Sequence, residues 1–177
     1  KKKSFIYYFF KRLFDILFSL ILIIVCLPIF IVVSIIVICS SKGSAFYVAE
    51  RIGKNGKPFK MIKFRSMIMN AEAKTGAVLA KEDDDRITKV GKFLRAHSLD
   101  ELPQIWDIFI GNMSVIGPRP GLWNQDFLTA ERDKYGANDI TPGLTGWAQI
   151  NGRDELEIPV KAALDGEYVK RFNIWFD

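Results

Sequence analysis

The chain is organised around the stretch Arg95-Ala96-His97-Ser98-Leu99-Asp100-Glu101-Leu102-Pro103-Gln104, which places two adjacent carboxylates behind an arginine. Ser98 and Glu101 have the Ser-x-x-Glu spacing that closes the first turn of a helix. If Ser98 is the cap, Pro103 removes one backbone hydrogen bond; if Asp100 is the cap, Pro103 lies harmlessly in the first turn. Either way both acids lie at a helix start, where backbone N–H groups favour a carboxylate or a phosphate. A plain helix start would explain the same residues, because acids are common there.

A second motif, Gly117-Pro118-Arg119-Pro120, follows downstream. Its prolines fix the backbone around Arg119 and so aim the guanidinium, whose fork suits a phosphate. Upstream, Asn55-Gly56 predicts a turn between short strands at 45–48 and 59–64. Cations lie along or just beyond the second strand, at Lys60, Lys63 and Arg65. A solvated strand face and a phosphate site both explain these cations.

The charge is unevenly distributed along the 177 residues, whose formal net charge is +5. It is +4 over residues 1–41, +7 over 42–95 and −6 over 96–177. The basic part adjoins the most hydrophobic segment, which indicates a face turned toward anionic lipid or a phosphorylated substrate. No nucleic-acid-binding motif occurs in the sequence, so we expect no nucleic-acid partner. Cys26 and Cys39 both fall within the hydrophobic segment, which argues against a disulfide framework or a zinc finger.

A run of 26 residues without a charged side chain extends from Ile16 to Ser41. As a helix it would be about 39 Å long, enough to enter a bilayer. Pro28 lies near its midpoint, where it removes a backbone hydrogen bond and bends a helix. Positive charges flank both ends, and the positive-inside bias therefore assigns both ends to the cytoplasm. A re-entrant helix broken at Pro28 satisfies both observations, and a kinked spanning helix is the alternative.

The remaining pattern predicts a mixed α/β fold that is mostly helical, with a small sheet or hairpins. Helices are expected at 67–74, from the organising stretch to Gly111, at 122–135 and at 160–170, with a short strand at 113–116. After a rigid turn, Gln149, Asn151 and Arg153 alternate on one side of an extended chain. Two amides and a guanidinium so placed fit a nucleotide or a sugar, and equally an ordinary polar strand face.

The sequence divides into a membrane-embedded segment, 1–41, and a cytoplasmic catalytic domain, 42–177. Aromatic residues at both ends of the chain suit a membrane interface, which predicts interfacial helices beside the membrane segment.

Taken together, the motifs resemble the bacterial sugar transferase family, the monotopic phosphoglycosyl transferases that begin glycan assembly on a polyprenol lipid. The matching residues are Lys11-Arg12-x-x-Asp15, Lys63-Phe64-Arg65-Ser66-Met67, Ser98-Leu99-Asp100-Glu101-Leu102-Pro103, Gly117-Pro118-Arg119-Pro120 and Pro142-Gly143-Leu144-Thr145-Gly146-Trp147-Ala148-Gln149-Ile150-Asn151-Gly152-Arg153. The resemblance implies transfer of a sugar-1-phosphate from a UDP-sugar to polyprenol phosphate, with UMP released and Mg²⁺ required. It also implies a re-entrant helix at the cytoplasmic face of a bacterial inner membrane, although the family's Ser-Pro pair is here Leu27-Pro28.

The same resemblance assigns roles to the acidic pair and its surroundings. Asp100 would attack the phosphate nearest the sugar and hold the phosphosugar covalently. Glu101, with Asp100, would bind Mg²⁺ and assist deprotonation of the acceptor. The diphosphate and the acceptor phosphate would be held by Lys63, Arg65, Arg95 and Arg119, and the nucleotide or sugar would lie near Gln149, Asn151 and Arg153.

Two other functions fit the same sequence. One is a membrane-anchored module that binds a UDP-sugar or an acidic lipid without turnover; the acidic pair argues against it, because recognition of anions alone needs no carboxylates. The other is an enzyme in which the acceptor attacks the donor directly and Asp100 only holds metal. The oligomeric state is left open, with a homodimer as one option.

Overall fold

The computed structural model describes residues 5–71, 73, 76, 84–152, 156–173 and 175–177. The helices and strands in these ranges are α1 (Phe5–Ser40), β1 (Phe46–Ile52), β2 (Pro58–Phe64), α2 (Lys89–Ala96), α3 (Gln104–Ile110), β3 (Ser114–Ile116), α4 (Asp126–Asp133), β4 (Gly143–Thr145), α5 (Trp147–Ile150) and α6 (Ile158–Arg171). Short 3₁₀ turns lie at Lys54–Gly56, Leu99–Glu101 and Ala137–Asp139. The predicted mixed α/β fold with small sheets is confirmed.

The predicted hairpin is also confirmed, with longer strands than expected. β1 and β2 pair antiparallel in a register that places Phe46 opposite Phe64. In the turn between them, Asn55 and Gly56 have φ values of 58° and 69°, a left-handed conformation that these two residue types tolerate best. A second small sheet pairs β3 with β4 in parallel, which confirms the strand expected at 113–116.

α1 is a single helix that continues through Pro28, so the predicted break at this proline is not confirmed. The helix is long and apolar enough to cross a membrane. One side is buried against the rest of the protein, at Tyr7, Asp15, Ser19, Cys26, Val33 and Val37. Most other positions between Phe5 and Ile38 expose large apolar side chains. A continuous apolar surface of this size indicates contact with lipid.

The N-terminal half of α1 is attached to the domain that follows it. Arg12 donates hydrogen bonds to the carbonyl oxygens of Ile108 (2.7 Å) and Phe109 (2.6 Å), which lie in the last turn of α3. Asp15 accepts a hydrogen bond from the backbone N–H of Val115 in β3 (2.9 Å). Because a helix C-terminus leaves carbonyl groups unsatisfied, a guanidinium is well suited to this position. The first of the matching motifs therefore anchors the membrane helix to α3 and β3.

The sequence predicted one continuous helix from the organising stretch to Gly111. The structure instead has three short elements in this region. α2 ends at Ala96, a 3₁₀ turn spans Leu99–Glu101, and α3 begins at Gln104. Ser98 has a left-handed φ of 54° and makes no capping hydrogen bond, so the predicted capping box is wrong.

Other helix predictions had mixed outcomes. The helix expected at 67–74 is wrong in its described part, because Met67 bridges to Ile87 and residues 69–71 form a turn. This backbone pairing outweighs local helix propensity. The helix expected at 122–135 is shorter, as α4, and the helix expected at 160–170 is confirmed by α6.

A buried ion pair joins α4 to α6. Arg132 Nε donates to Asp165 Oδ2 (2.7 Å), and both side chains are almost fully buried. We expect Asp165→Asn to lower the free energy of unfolding by about 3 kcal/mol, or the midpoint temperature in detergent by about 10 °C, because it leaves the guanidinium uncompensated. The control is Glu131→Gln, which removes the partner of the exposed Lys134 and should shift the midpoint by no more than about 2 °C. Equal midpoints in the two variants would contradict the prediction.

Candidate active site

A cavity of about 840 Å³ opens between β2, the Leu99–Glu101 turn and the loop after β3. Its walls bring together most of the residues predicted from sequence to form the site: Lys63, Arg65, Arg95, Asp100, Glu101, Arg119 and Gln149. These residues are spread over 87 positions of the sequence. The cavity is within the size range of sites for small ligands and cofactors.

The acidic pair is held in place by apolar packing beneath it. Leu99 and Leu102, which flank the pair, pack against a buried cluster formed by Val33, Val37, Phe64 and Leu94. Val33 and Val37 belong to α1, so the membrane helix packs against the Leu99–Glu101 turn through this cluster. With both leucines directed into this cluster, the carboxylates between them line the cavity.

Glu101 is held between two cations. Lys63 Nζ donates to its carboxylate at 3.1 Å, and both terminal nitrogens of Arg119 donate to it, one of them at 3.2 Å. Burial alone would raise the pKa of Glu101, but the Arg119 hydrogen bonds and the two positive charges outweigh it and bring this pKa to about 2. A carboxylate with so low a pKa is a poor general base near neutral pH.

Asp100 differs from Glu101 in its hydrogen bonds and in the direction of its pKa shift. It is 7% exposed, and its carboxylate makes no hydrogen bond or ion pair to another residue within the described ranges. Burial raises the pKa of Asp100, and the charges of Lys63 and Arg95 partly oppose this shift. The result is a carboxylate at the cavity wall with a raised pKa and no bond to another described residue, and such a carboxylate can act as a nucleophile.

Arg65 lines the cavity, but both of its terminal nitrogens donate to backbone carbonyls away from the acidic pair. It donates to the backbone carbonyls of Val37 (3.3 Å), Ser41 (2.7 Å) and Lys42. These carbonyls lie in or just after the last turn of α1, where a positive charge is favoured. This link between the membrane helix and the site was missed from sequence, because nothing local to Arg65 indicates a partner more than twenty residues away.

Arg95 is a second arginine at the cavity. It lines the cavity, and its Nε donates to the side chain of Ser66 (2.9 Å). Ser66 belongs to the same matched motif as Lys63, so this hydrogen bond fixes an arginine from α2 beside the strand that carries the lysine. Lys63, Arg95 and Arg119 all line the cavity that contains the acidic pair, and their role in holding phosphate groups stays a prediction.

Of the three residues predicted to lie near the nucleotide or sugar, the structure places only Gln149 at the cavity within the described ranges. The chain is helical at α5, so the expected extended alternation is wrong. Gln149 lines the cavity and donates to the carbonyl of Leu144 (3.2 Å). Asn151 is exposed and donates back to the carbonyl of Trp147 (2.8 Å), and Arg153 lies outside the described residues. Lys161 of α6, which no sequence motif singled out, also lines the cavity.

Comparison with known proteins identifies the family. Residues 6–177 match the family model described as bacterial sugar transferase. Similar proteins include the UDP-glucose:undecaprenyl-phosphate glucose-1-phosphate transferase of Klebsiella pneumoniae, 41% identical over 95% of this chain and 37% of the relative. The UDP-galactose-lipid carrier transferase of Erwinia amylovora is 35% identical over 96% of this chain and 38% of the relative.

A shorter relative matches along most of its length. The exopolysaccharide production protein ExoY of Sinorhizobium fredii is 37% identical, over 94% of this chain and 80% of the relative. The chain thus spans less than two fifths of the two longer relatives named above and four fifths of this one. From the family model and these identities, the chain belongs to the bacterial sugar transferase family.

Proposed function

We propose that this chain transfers a sugar-1-phosphate from a UDP-sugar to polyprenol phosphate and releases UMP, at the cytoplasmic face of a bacterial membrane. The reaction would be the first membrane step in the assembly of a glycan. The names of the relatives support the donor and the acceptor. The cavity supports the chemistry, because it combines an acidic pair with three cations able to hold phosphate groups.

The contrast between the two acids carries the proposal. Glu101 is fixed by Lys63 and Arg119, whereas the Asp100 carboxylate has no hydrogen bond or ion pair to another described residue, and burial raises its pKa. A binding module for anions would gain nothing from a buried carboxylate that repels them. The same contrast favours Asp100 over Glu101 as the nucleophile.

The proposed chemistry has two steps. In the first, a carboxylate oxygen of Asp100 bonds to the phosphorus nearest the sugar, and the bond from that phosphorus to the UMP oxygen breaks, so UMP leaves with the electron pair. In the second, an oxygen of polyprenol phosphate attacks the same phosphorus and the bond to Asp100 breaks. Lys63, Arg95 and Arg119 offset the negative charge that accumulates on the phosphates.

Magnesium is part of the proposal. Mg²⁺ prefers one or two carboxylates together with waters and substrate phosphate oxygens, and Asp100 and Glu101 supply two adjacent carboxylates at a cavity with room for a diphosphate. These donors fit the ion. When bound, it would neutralise charge on the diphosphate.

The test is product formation with a panel of UDP-sugars, each labelled in the sugar, together with Mg²⁺ and polyprenol phosphate. We expect label from at least one donor to enter the organic phase while UMP is released. A binding module would instead retain intact UDP-sugar and release no UMP with any donor, and that outcome would overturn the proposal.

We further propose that α1 enters the membrane without crossing it. Arg12 and Asp15 near one end, and Val37 and Ser41 at the other, all contact residues of the same following domain. A helix of 36 residues is about 54 Å long, yet both of its ends are held on the side where that domain lies. The cytoplasmic orientation itself rests on the flanking positive charges.

Cysteine labelling tests this topology. In a protein with Cys26 and Cys39 replaced by serine, we expect Phe5→Cys and Lys42→Cys to react with a membrane-impermeant maleimide from the same face. Both should be labelled in inverted vesicles and neither in right-side-out vesicles. Labelling of the two positions from opposite faces would show a spanning helix.

A further inference from the structure

Gln104 is a buried polar residue of the cavity wall that the proposed steps do not use. It is the first residue of α3, it lines the charged cavity, and only 1% of its surface is exposed. Its side-chain nitrogen, Nε2, is buried and makes no hydrogen bond to any residue that the structure describes. Most buried polar side-chain atoms in proteins have a partner, and an unpaired donor destabilises the fold. This amide therefore points to a ligand.

Only one helical turn of backbone separates Gln104 from Asp100. The chain passes from the 3₁₀ turn at Leu99–Glu101 through Leu102 and Pro103, both with right-handed helical dihedral angles, into α3. Residues four apart on a helical backbone are neighbours on its surface. Asp100 and Gln104 both line the cavity, so the amide lies within one turn of the proposed nucleophile.

The position of Gln104 is fixed by the packing of α3. Ile108, one turn further along this helix, is 0% exposed. Asp107 Oδ2 accepts a hydrogen bond from the backbone N–H of Ile62 in β2 (3.0 Å), the residue before Lys63. This bond attaches α3 to the strand that carries a lysine of the cavity. An amide on a helix held in this way is preorganised, because it needs little rearrangement to meet a ligand.

The ligand that fits this amide is a phosphate oxygen. Lys63, Arg95 and Arg119 line the same cavity and attract anions. In the proposed reaction the phosphorus nearest the sugar approaches the Asp100 carboxylate, and its non-bridging oxygens accept hydrogen bonds. A neutral amide N–H can donate to these oxygens without forming an ion pair with Asp100, as a lysine or an arginine at this position would. The amide thus leaves the nucleophile unpaired.

We propose that the Gln104 amide donates a hydrogen bond to an oxygen of the phosphorus that Asp100 attacks, both in the bound UDP-sugar and in the phosphosugar held on Asp100. This inference rests on the proposed function for the identity of the donor. It adds a neutral hydrogen-bond donor to a site otherwise described by its acids and cations. The contact is made to the phosphate next to the sugar and not to the phosphate that leaves in UMP.

A pair of nucleotides tests this contact. UDP carries a phosphate at the position nearest the sugar, whereas UMP lacks it. Affinities for both are measured by calorimetry with the full chain in detergent and Mg²⁺ present. We expect Gln104→Met, which keeps the side-chain length and removes the amide, to weaken UDP binding about tenfold and to leave UMP binding within about twofold. The midpoint temperature should be unchanged or higher, because the variant removes a buried donor that has no described partner.

The next residue of α3 provides the matched control. Ile105 is 2% exposed and does not line the cavity, so Ile105→Met should leave both affinities within about twofold. Gln104→Glu, which keeps the shape and replaces the donor by an oxygen, should weaken UDP binding at least as much as Gln104→Met.

Three results would overturn the inference: no UDP binding by the unchanged protein, equal loss of UDP and UMP binding in the Gln104 variants, or UDP binding unchanged in both of them. Selective loss of UDP binding in Gln104→Met, together with no UMP release from any UDP-sugar by the unchanged protein, would instead refute the proposed function and leave the Gln104 contact in place.

Discussion

Asp100→Asn is expected to abolish the exchange of labelled UMP into UDP-sugar and to lower turnover by about 10³-fold or more. Exchange is measured with Mg²⁺ and donor but no polyprenol phosphate, so it reports only the first step and its reversal. An amide matches the carboxylate in shape but cannot form the bond to phosphorus. We therefore expect label to enter UDP-sugar with the unchanged protein and not with the variant.

The environment of Asp100 makes this result easy to interpret. Its carboxylate bonds to no other described residue, and burial raises its pKa, which means that folding disfavours its charge. Removing that charge should leave the midpoint temperature in detergent unchanged or slightly higher. Asp126→Asn, at an exposed position in the first turn of α4, is the control and should exchange normally. Exchange at the normal rate in Asp100→Asn would refute the covalent role, and turnover without exchange in the unchanged protein would favour direct attack by the acceptor.

The sequence predicted the parts of the site that depend on residue type more than on local conformation. Lys63, Asp100, Glu101 and Arg119 do line one cavity.

The Ser98 capping box did not form because of contacts with residues distant in sequence. The Glu101 carboxylate is drawn toward Lys63 and Arg119 and does not fold back onto the Ser98 backbone, while Pro103, which lacks an N–H, suits the start of a new helix.

Two other features depend on contacts that a local pattern does not contain. The alternation of Gln149 and Asn151 is compatible with a strand and with a short helix, and the structure adopts the helix after the extended Gly146. Arg65 was predicted to bind phosphate, yet its two terminal nitrogens donate to carbonyls just after the end of α1. A basic residue beside a site can serve either purpose, and only the position of α1 decides between them.

Glu101→Gln is expected to lower turnover by about 100-fold, and to lower UMP exchange by the same factor. Glutamine keeps a hydrogen-bond acceptor but loses the charge that balances Lys63 and Arg119 and one proposed ligand of Mg²⁺. Both steps break a bond at the same phosphorus under the same cations. Loss of the Glu101 charge should therefore slow both steps by the same factor.

A general-base role for Glu101 predicts a different outcome. A base that deprotonates the acceptor acts only in the second step, so Glu101→Gln would then slow transfer to polyprenol phosphate and leave UMP exchange intact. The pKa of about 2 argues against that role, since such a weak base holds a proton poorly near neutral pH. Glu167→Gln is the matched control, because Glu167 pairs with Arg171 at the surface of α6, and it should leave both rates within about twofold. Unequal losses in the two assays of Glu101→Gln would restore the base assignment, whereas equal losses would assign Glu101 to the charge framework that holds the diphosphate.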